Sequence, residues 1–192
     1  MKGKLFTIKF RRKREGKTDY KGRRRLLLSG KPRVVVRKSL KNITAQLIEY
    51  SDKGDKVIAS ASSRNLEKFG WKTNKSNLPA AYLTGFLLGS KVKDKVEGCI
   101  IDLGLSYTIK GSKEFALIKG IVDSGLKVSY SEGIFPSEDR LKGAHIAKYA
   151  ESVKGDKKKF ERLFSDYVKK GVDPTNLTKI FDEVKLNIGK VK

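Results

Sequence analysis

The sequence contains a single cysteine, a single histidine and four prolines among 192 residues, and these scarcities exclude several classes of protein. Cys99 has no partner in the chain for a disulfide, and its apolar neighbours predict a buried, inert thiol in a reducing compartment. One histidine, His145, cannot build a His-rich metal site and leaves little material for a Ser-His-Asp triad. Glycine-rich phosphate-loop patterns are also missing, so no nucleotide cofactor is predicted.

Long hydrophobic runs are absent as well. The longest apolar-rich stretch, residues 78–88, is shorter than the roughly 18 apolar residues that a membrane-spanning helix needs. The basic N-terminus lacks the apolar segment of a secretory signal, so we expect neither a signal nor a membrane partner. Hydrophobic residues nevertheless make up 38% of the chain, which is enough for one packed domain and disfavours a wholly disordered chain.

Acidic residues are scarce compared with basic ones, because 44 Lys and Arg stand against 21 Asp and Glu, a net charge of +23. Residues 1–41 contain 17 of the basic residues and only 2 acidic ones, so +15 lies in about a fifth of the chain. Like charges at this density repel each other, whereas a polyanion neutralises them and releases its condensed counterions. This distribution predicts a segment that binds a structured polyanion and argues against a merely solubilising tail.

The residue types in this segment strengthen that prediction. Eight of its basic residues are arginines, whose planar guanidinium groups match phosphate oxygens and can stack on bases. Phe6, Phe10 and Tyr20 lie among them and could stack on unpaired bases. Repeated glycines break any long amphipathic helix, which disfavours binding to a membrane surface.

The residue patterns predict a mixed α/β fold. A short helix is expected at residues 11–14, with Gly16 and Gly22 making the rest of the N-terminal segment irregular. Three strands joined by short turns follow and predict an antiparallel meander, because turn residues at 51–55 link the second strand to the third. The three strands are expected at residues 33–37, 43–50 and 56–62.

The middle of the chain changes to a helix–strand–helix–strand pattern, which predicts a parallel, right-handed βαβ unit. The first helix has Asn77 as its expected N-cap and Pro79 in its first turn, and the strand at 98–105 is expected to be central and buried. These elements are predicted at residues 78–88, 98–105, 114–124 and 127–130. Helices at 138–153, 157–170 and 176–186 follow. We therefore divide the chain into a basic arm (residues 1–32), an α/β body (residues 33–153) and a C-terminal helical extension (residues 154–192).

Asp102 is the one acidic residue that raises the question of catalysis, because it lies in an apolar strand. A metal-dependent nuclease would gather Asp102 with carboxylates such as Glu97, Glu114 and Asp123. A carboxylate at the end of a strand more often organises a turn, and we favour that role. No metal site and no catalytic residue are predicted.

Several other residues have two interpretations. Trp71 could anchor the core or stack on RNA, and we favour the core. His145 could pack on a helix face or contact RNA, and we favour packing. The apolar stripe formed by Phe160, Leu163, Phe164 and Tyr167 has helical spacing and is expected to pack locally or in the core.

Several separate motifs resemble one known family over about residues 5–150. They are Arg11-Arg12-Lys13-Arg14-Glu15-Gly16-Lys17-Thr18-Asp19-Tyr20, Lys31-Pro32-Arg33-Val34-Val35-Val36-Arg37, Gly70-Trp71, Asn77-x-x-Ala80-Ala81-Tyr82-Leu83-Thr84-Gly85, Asp102-Leu103-Gly104-Leu105, Lys119-Gly120-x-x-Asp123-x-Gly125-Leu126 and Pro136-x-x-Asp139-Arg140-x-x-Gly143-x-His145-Ile146. Together they resemble the large-subunit ribosomal proteins that bind 5S rRNA, the eighteenth in bacterial naming and the fifth in eukaryotic naming. The arm and the short C-terminal region favour the archaeal type.

The resemblance implies a non-enzymatic, ribonuclease H-like α/β scaffold in the central protuberance of the large ribosomal subunit. It implies a cytoplasmic, ribosome-bound protein whose partners are 5S rRNA, 23S rRNA and neighbouring large-subunit proteins. The arm is expected to be loose when free and to order on RNA. The candidate RNA-binding residues are Arg11, Arg12, Lys13, Arg14, Lys17, Tyr20, Arg23, Arg24, Arg25, Lys31, Arg33, Arg37, Ser39 and Asn42.

Overall fold

The basic arm contains two short helices in the computed structural model, which describes residues 7–190 and so leaves Phe6 outside the described residues. Helix α1 spans Arg11–Arg14, as predicted, and helix α2 spans Tyr20–Leu27. The prediction that Gly22 keeps this part irregular is wrong. Asp19 caps α2 by accepting a hydrogen bond from the Lys21 backbone amide at 3.0 Å, and a Cβ at position 22 would lie 2.6 Å from the Asp19 carboxylate. Glycine therefore leaves room for the cap instead of breaking the helix.

The described residues contain a five-stranded mixed sheet in the order β3-β2-β1-β4-β5. Its strands are β1 (Arg33–Lys38), β2 (Ile43–Glu49), β3 (Lys56–Ser62), β4 (Gly98–Asp102) and β5 (Lys127–Val128). Strands β1 to β3 form the predicted antiparallel meander, and β4 pairs in parallel with both β1 and β5. The mixed α/β fold is thus confirmed, with β1 rather than β4 at the centre. The finer ribonuclease H-like assignment and the right-handed crossover stay predictions.

Two helices, α3 (Leu78–Val92) and α4 (Lys113–Asp123), pack against each other beside the sheet. Asn77 caps α3 as predicted, because its Oδ1 accepts a hydrogen bond from the Ala80 amide at 2.9 Å. The helices cross in backbone contact, since a Cβ at Gly85 would overlap the Leu117 carbonyl oxygen. A Cβ at Gly120 would overlap the carbonyl oxygen of Tyr82 in the same way. Glycine at both positions is therefore a packing requirement of this crossing.

The C-terminal region is more broken than the patterns predicted. Its helices are α5 (Glu138–Lys142), α6 (Ala144–Val153), α7 (Lys157–Leu163), α8 (Ser165–Lys169) and α9 (Leu177–Gly189). The predicted helix 138–153 is interrupted at Gly143, which has a φ of +82°. A Cβ there would lie 2.7 Å from the Leu177 side chain, so the close approach of α9 requires the glycine, and its positive φ ends α5.

The apolar stripe of the C-terminal region packs locally, as expected, but it spans two helices. Phe164 separates α7 from α8, and its ring centroid lies 5.1 Å from that of Phe160 and 5.8 Å from that of Tyr167. Leu163 remains 44% exposed, because the interruption turns it away from the others. The division of the chain at residues 153 and 154 stays a prediction.

Helix α9 belongs to the same hydrophobic core as the sheet and α3. Its Phe181 ring lies 5.4 Å from the ring of Tyr82, and the Asn187 side-chain amide donates to the Phe69 carbonyl at 3.2 Å. The end of the described chain is thus part of the core.

The single tryptophan, cysteine and histidine occupy different environments. Trp71 is fully buried and its indole N–H donates to the Asn74 carbonyl at 3.0 Å, so it anchors the core as favoured. Cys99 is buried, and burial raises the pKa of its thiol to about 11, which suits an inert thiol. His145 is exposed on α6, so the expectation that it packs on a helix face is wrong. Within residues 7–190, no helix is both long enough and apolar enough to cross a membrane.

Candidate nucleic-acid interface

Helix α1 presents its basic side chains to solvent, because none of its residues is buried. Local polar contacts stabilise the turn that follows it. Glu15 accepts ion pairs from Lys17 at 2.9 Å and from Arg11 at 3.7 Å, and the Arg12 guanidinium donates to the Thr18 hydroxyl at 2.8 Å. Exposed ion pairs of this kind are weak, so these cations remain available to an incoming anion.

An aromatic pair joins the two helices of the arm. The ring centroids of Phe10 and Tyr20 lie 5.2 Å apart with the rings tilted by 52°. Phe10 is 71% exposed, so most of its ring remains available for stacking on a base. Of the two described aromatic residues that could stack on bases, Phe10 is therefore more accessible than Tyr20.

Arg23 on α2 connects the arm to the body. One of its terminal nitrogens donates to both carboxylate oxygens of Asp55, at 2.9 and 3.0 Å. Asp55 lies in the turn that joins β2 to β3, 32 residues away along the chain. This contact places α2 over the sheet.

Arg33, at the start of β1, lies between two carboxylates. Its guanidinium donates to Asp55 at 3.0 Å and to Asp102 at 2.9 Å, and its side chain is only 3% exposed. The two carboxylates neutralise this buried guanidinium and offset the cost of removing it from water. In this structure Arg33 supports the interface from the protein interior, and its side chain is not exposed to a ligand.

Asp102 organises the turn after β4. Its Oδ1 accepts the Gly104 backbone amide at 2.9 Å and an Arg37 nitrogen at 3.3 Å. Arg37 also donates to the Asp102 carbonyl at 3.0 Å, and its side chain stays 52% exposed. Gly104 has a φ of +62°, and a Cβ there would lie 2.9 Å from the Arg37 guanidinium carbon. The Asp-Leu-Gly motif therefore shapes a turn that supports Arg37, which is the role we favoured for Asp102.

Two of the other carboxylates considered for a metal site, Glu114 and Asp123, have separate partners, and Glu97 is exposed. Glu114 pairs with Lys38 at 2.5 Å, and Asp123 accepts from the Tyr82 hydroxyl at 2.8 Å. Burial raises the pKa of Glu114, but hydrogen bonds from Lys38 and the backbone outweigh it and leave that pKa below its ordinary value. Burial and the Asp123 hydrogen bond both raise the pKa of Tyr82. Among residues 7–190 no group of three or more His, Cys, Asp or Glu could hold a metal ion.

A cleft of about 560 Å³ lies between the arm and the sheet. Basic side chains outnumber acidic ones on its walls by six to three. The basic residues are Arg12, Lys17, Arg23, Arg25, Arg33 and Arg37, and the acidic ones are Asp19, Asp55 and Asp102. Because a concave surface with excess positive charge focuses its field, the cleft suits a phosphate-bearing ligand.

The remaining candidates fall outside this cleft. Arg24 and Lys31 are exposed at the surface. Ser39 and Asn42 close the tight turn between β1 and β2. The Ser39 hydroxyl donates to the backbone carbonyl of Asn42 and accepts from the backbone amide of Asn42, both at 3.0 Å. That turn is at the opposite end of β1 from Arg33, about 20 Å away at the usual rise of a strand. The structure therefore does not bring Ser39 and Asn42 together with the arm.

Two features of this surface were missed by the sequence reasoning. Asp55 reads as an ordinary turn residue, and no local pattern reveals its contacts with Arg23 and Arg33. The loop after β4 presents Tyr107 and Ile109, which are 88% and 68% exposed. The only signal for this loop in the sequence was an aromatic residue in a stretch without acidic residues.

Comparison with known proteins gives one consistent result. The profile of the family described as "Ribosomal large subunit proteins 60S L5, and 50S L18" matches residues 4–98. The chain is also similar to the large ribosomal subunit protein uL18 of Methanococcus maripaludis. The two are 49% identical over 184 residues, which cover 95% of each chain.

Proposed function

The chain belongs to the family of ribosomal large-subunit proteins 60S L5 and 50S L18, and on this premise we propose that it binds 5S rRNA and helps attach it to 23S rRNA in the central protuberance. As a member of this family it is a structural constituent of the large ribosomal subunit and not an enzyme. It is therefore ribosome-associated. Its cytoplasmic location and its contacts with neighbouring large-subunit proteins are parts of the proposal.

One observation carries the proposal. Residues 7–32 contain 11 Lys and Arg against 2 acidic residues, and neither α1 nor α2 has a buried residue. A segment with this charge and no core of its own gains little from folding alone. It gains much from a polyanion, because each neutralised phosphate releases condensed counterions.

The geometry favours structured RNA as that polyanion. The cleft and the exposed faces of α1 and α2 present guanidinium groups to phosphates, and Phe10 offers a ring to an unpaired base. The deep, narrow major groove of A-form RNA hides base edges from side chains. Selectivity for 5S rRNA should therefore come from the shape of its junctions and loops, and from contacts to 2′-hydroxyls.

A competition assay tests the choice of RNA. Labelled 5S rRNA bound to the full chain at 0.2 M salt is displaced with unlabelled 5S rRNA, tRNA or duplex DNA of similar length. We expect 5S rRNA to compete at concentrations at least about tenfold lower than the others, because non-specific binding is purely electrostatic. Equal competition by all three would identify a general nucleic-acid coating protein instead.

Attachment to 23S rRNA requires a second test. Large subunits assembled without this chain should contain less than stoichiometric 5S rRNA, and adding the purified chain should restore it. Particles that retain a full complement of 5S rRNA without the chain would contradict this part of the proposal.

A further inference from the structure

Asp55 is a carboxylate in the middle of a surface that we propose for RNA. A negative charge there repels phosphates, so simple electrostatics predicts that Asp55 weakens binding. Its contacts indicate a different role. One of its oxygens accepts from Arg23 of the arm at 2.9 Å and from Arg33 of the sheet at 3.0 Å.

These contacts form a connected network and not an isolated surface pair. Asp102 on β4 forms an ion pair with Arg33 on β1. Arg33 also pairs with Asp55, between β2 and β3, and Asp55 in turn pairs with Arg23 on α2. Isolated surface ion pairs contribute little, whereas networks with fixed geometry contribute more. Because Arg33 is only 3% exposed, its guanidinium gives the Asp55 carboxylate a fixed position from which it also pairs with Arg23.

The body covers helix α2 only in part, with Leu26 and Leu27 half-buried. The helix is eight residues long and has no buried residue. Isolated helices of this length are unstable in water, so the helix depends on its contacts with the body. Among the described residues, the Arg23–Asp55 pair is the ion pair that ties it there.

We propose that Asp55 is a positioning residue that docks α2 on the sheet and so preorganises the arm for RNA. The inference rests on the proposed function and deepens it. The arm of the free protein is then already ordered at α2, in contrast to the loose arm expected from the sequence. Apparent affinity scales with the fraction of molecules in the binding-competent conformation. Loss of Asp55 should therefore weaken RNA binding although it removes a repulsive charge.

Simple electrostatics and the proposal predict opposite changes in RNA affinity when Asp55 loses its charge. This difference makes the proposal testable with full-length protein and 5S rRNA. Asp55→Asn is compared with Asp52→Asn, which changes the same charge in the same exposed turn. We expect Asp55→Asn to bind about fivefold more weakly than wild type, as the competent fraction falls. We expect Asp52→Asn to bind as wild type or slightly more tightly. Binding of Asp55→Asn that equals or exceeds that of Asp52→Asn overturns the proposal.

A second measurement needs no RNA. Amide hydrogen exchange of α2 in the free protein is compared between Arg23→Gln and Arg24→Gln, which each remove one positive charge from this helix. We expect exchange in α2 to be at least about fivefold faster in Arg23→Gln, because a released helix opens more often. Protection of β1 and β2 should not change, because Arg33 keeps both carboxylates. Equal exchange in α2 for the two variants also overturns the proposal.

The two measurements separate the inference from the proposed function. If wild type does not bind 5S rRNA, the proposed function fails, and the exchange of α2 still decides whether Asp55 docks the arm. If Asp55→Asn damages the body, exchange of β1 and β2 reveals it. The relative RNA affinities of Arg23→Gln and Arg24→Gln then decide the question, with the weaker binding expected for Arg23→Gln.

Discussion

The basic arm and the α/β body achieve order by different means. In the arm, residues 7–32, helices α1 and α2 have no fully buried residue, and polar contacts with Asp19 and Asp55 stabilise α2. The body places its strands and the α3–α4 crossing around fully buried residues such as Leu47, Leu83 and Leu117. Residues 42–125 contain 12 basic and 9 acidic residues, so this part of the body has little excess charge. Affinity for a polyanion and stability of the fold therefore reside in different segments, and variants should separate them.

Deleting residues 1–30 should separate RNA affinity from fold stability most strongly, because it should reduce the first and leave the second nearly unchanged. It removes 12 Lys and Arg, so we expect 5S rRNA affinity to fall at least about 100-fold at 0.2 M salt. The midpoint of thermal unfolding should hardly change, because the deleted helices contribute no buried residue. Gel shift and circular dichroism measure the two quantities. Full affinity in the truncated protein would refute the arm-centred account.

Gly120→Ala should have the opposite effect, because it should lower the stability of the body and leave RNA affinity unchanged. The added Cβ overlaps the Tyr82 carbonyl oxygen at the α3–α4 crossing, so we expect a loss of about 3 kcal/mol of unfolding free energy in urea. Gly189→Ala in α9 is the matched control, because a Cβ there meets open space. RNA affinity of the folded variant should match wild type. An unchanged urea midpoint would show that the crossing tolerates a methyl group.

Replacing Arg24 and Arg25 by alanine tests phosphate contact without removing the Arg23–Asp55 pair. Both residues are exposed on α2. We expect affinity for 5S rRNA to fall about tenfold and the slope of log K against log salt to decrease by about 2. Replacing Lys142 and Lys148 removes the same charge from the C-terminal helices and should leave the slope nearly unchanged. An unaltered slope for the arm variant would argue against phosphate contact at these positions.

The smallest effect concerns the Glu114–Lys38 pair and pH. The pKa of Glu114 lies below its ordinary value of 4.5 in the folded protein, so its contribution to stability is complete above about pH 4.5. That contribution disappears as the pH falls through the folded pKa. Because Lys38 is 44% exposed, we expect Glu114→Gln to cost only about 1 kcal/mol at pH 7. Urea unfolding over a series of pH values from 7 downward measures this, with exposed Glu97→Gln as control. A difference that does not shrink as the pH falls would show that the charge is not its source.

Elements whose signals lie close together in the chain were predicted well. The turn at 51–55 predicted the β2–β3 hairpin, and Asn77 predicted the start of α3. Several predictions that depended on distant neighbours failed. Gly143 ends α5 because Leu177 approaches it, and β4 ends at Asp102 because the following turn folds onto Arg37. The interface shows the same limit, since in the sequence Arg33 looks like one more exposed cation beside the arm.

The residue order alone determined where the positive charge is concentrated, where most strands and helices form, and which family the chain resembles. These properties follow from composition and from contacts between near neighbours. Only the tertiary structure decided that Arg33 is buried, that Asp55 joins the arm to the sheet and that α9 completes the core. The partners in these contacts are 22 to 118 residues apart. At such separations no periodic pattern connects two side chains, and their meeting depends on how the whole chain packs.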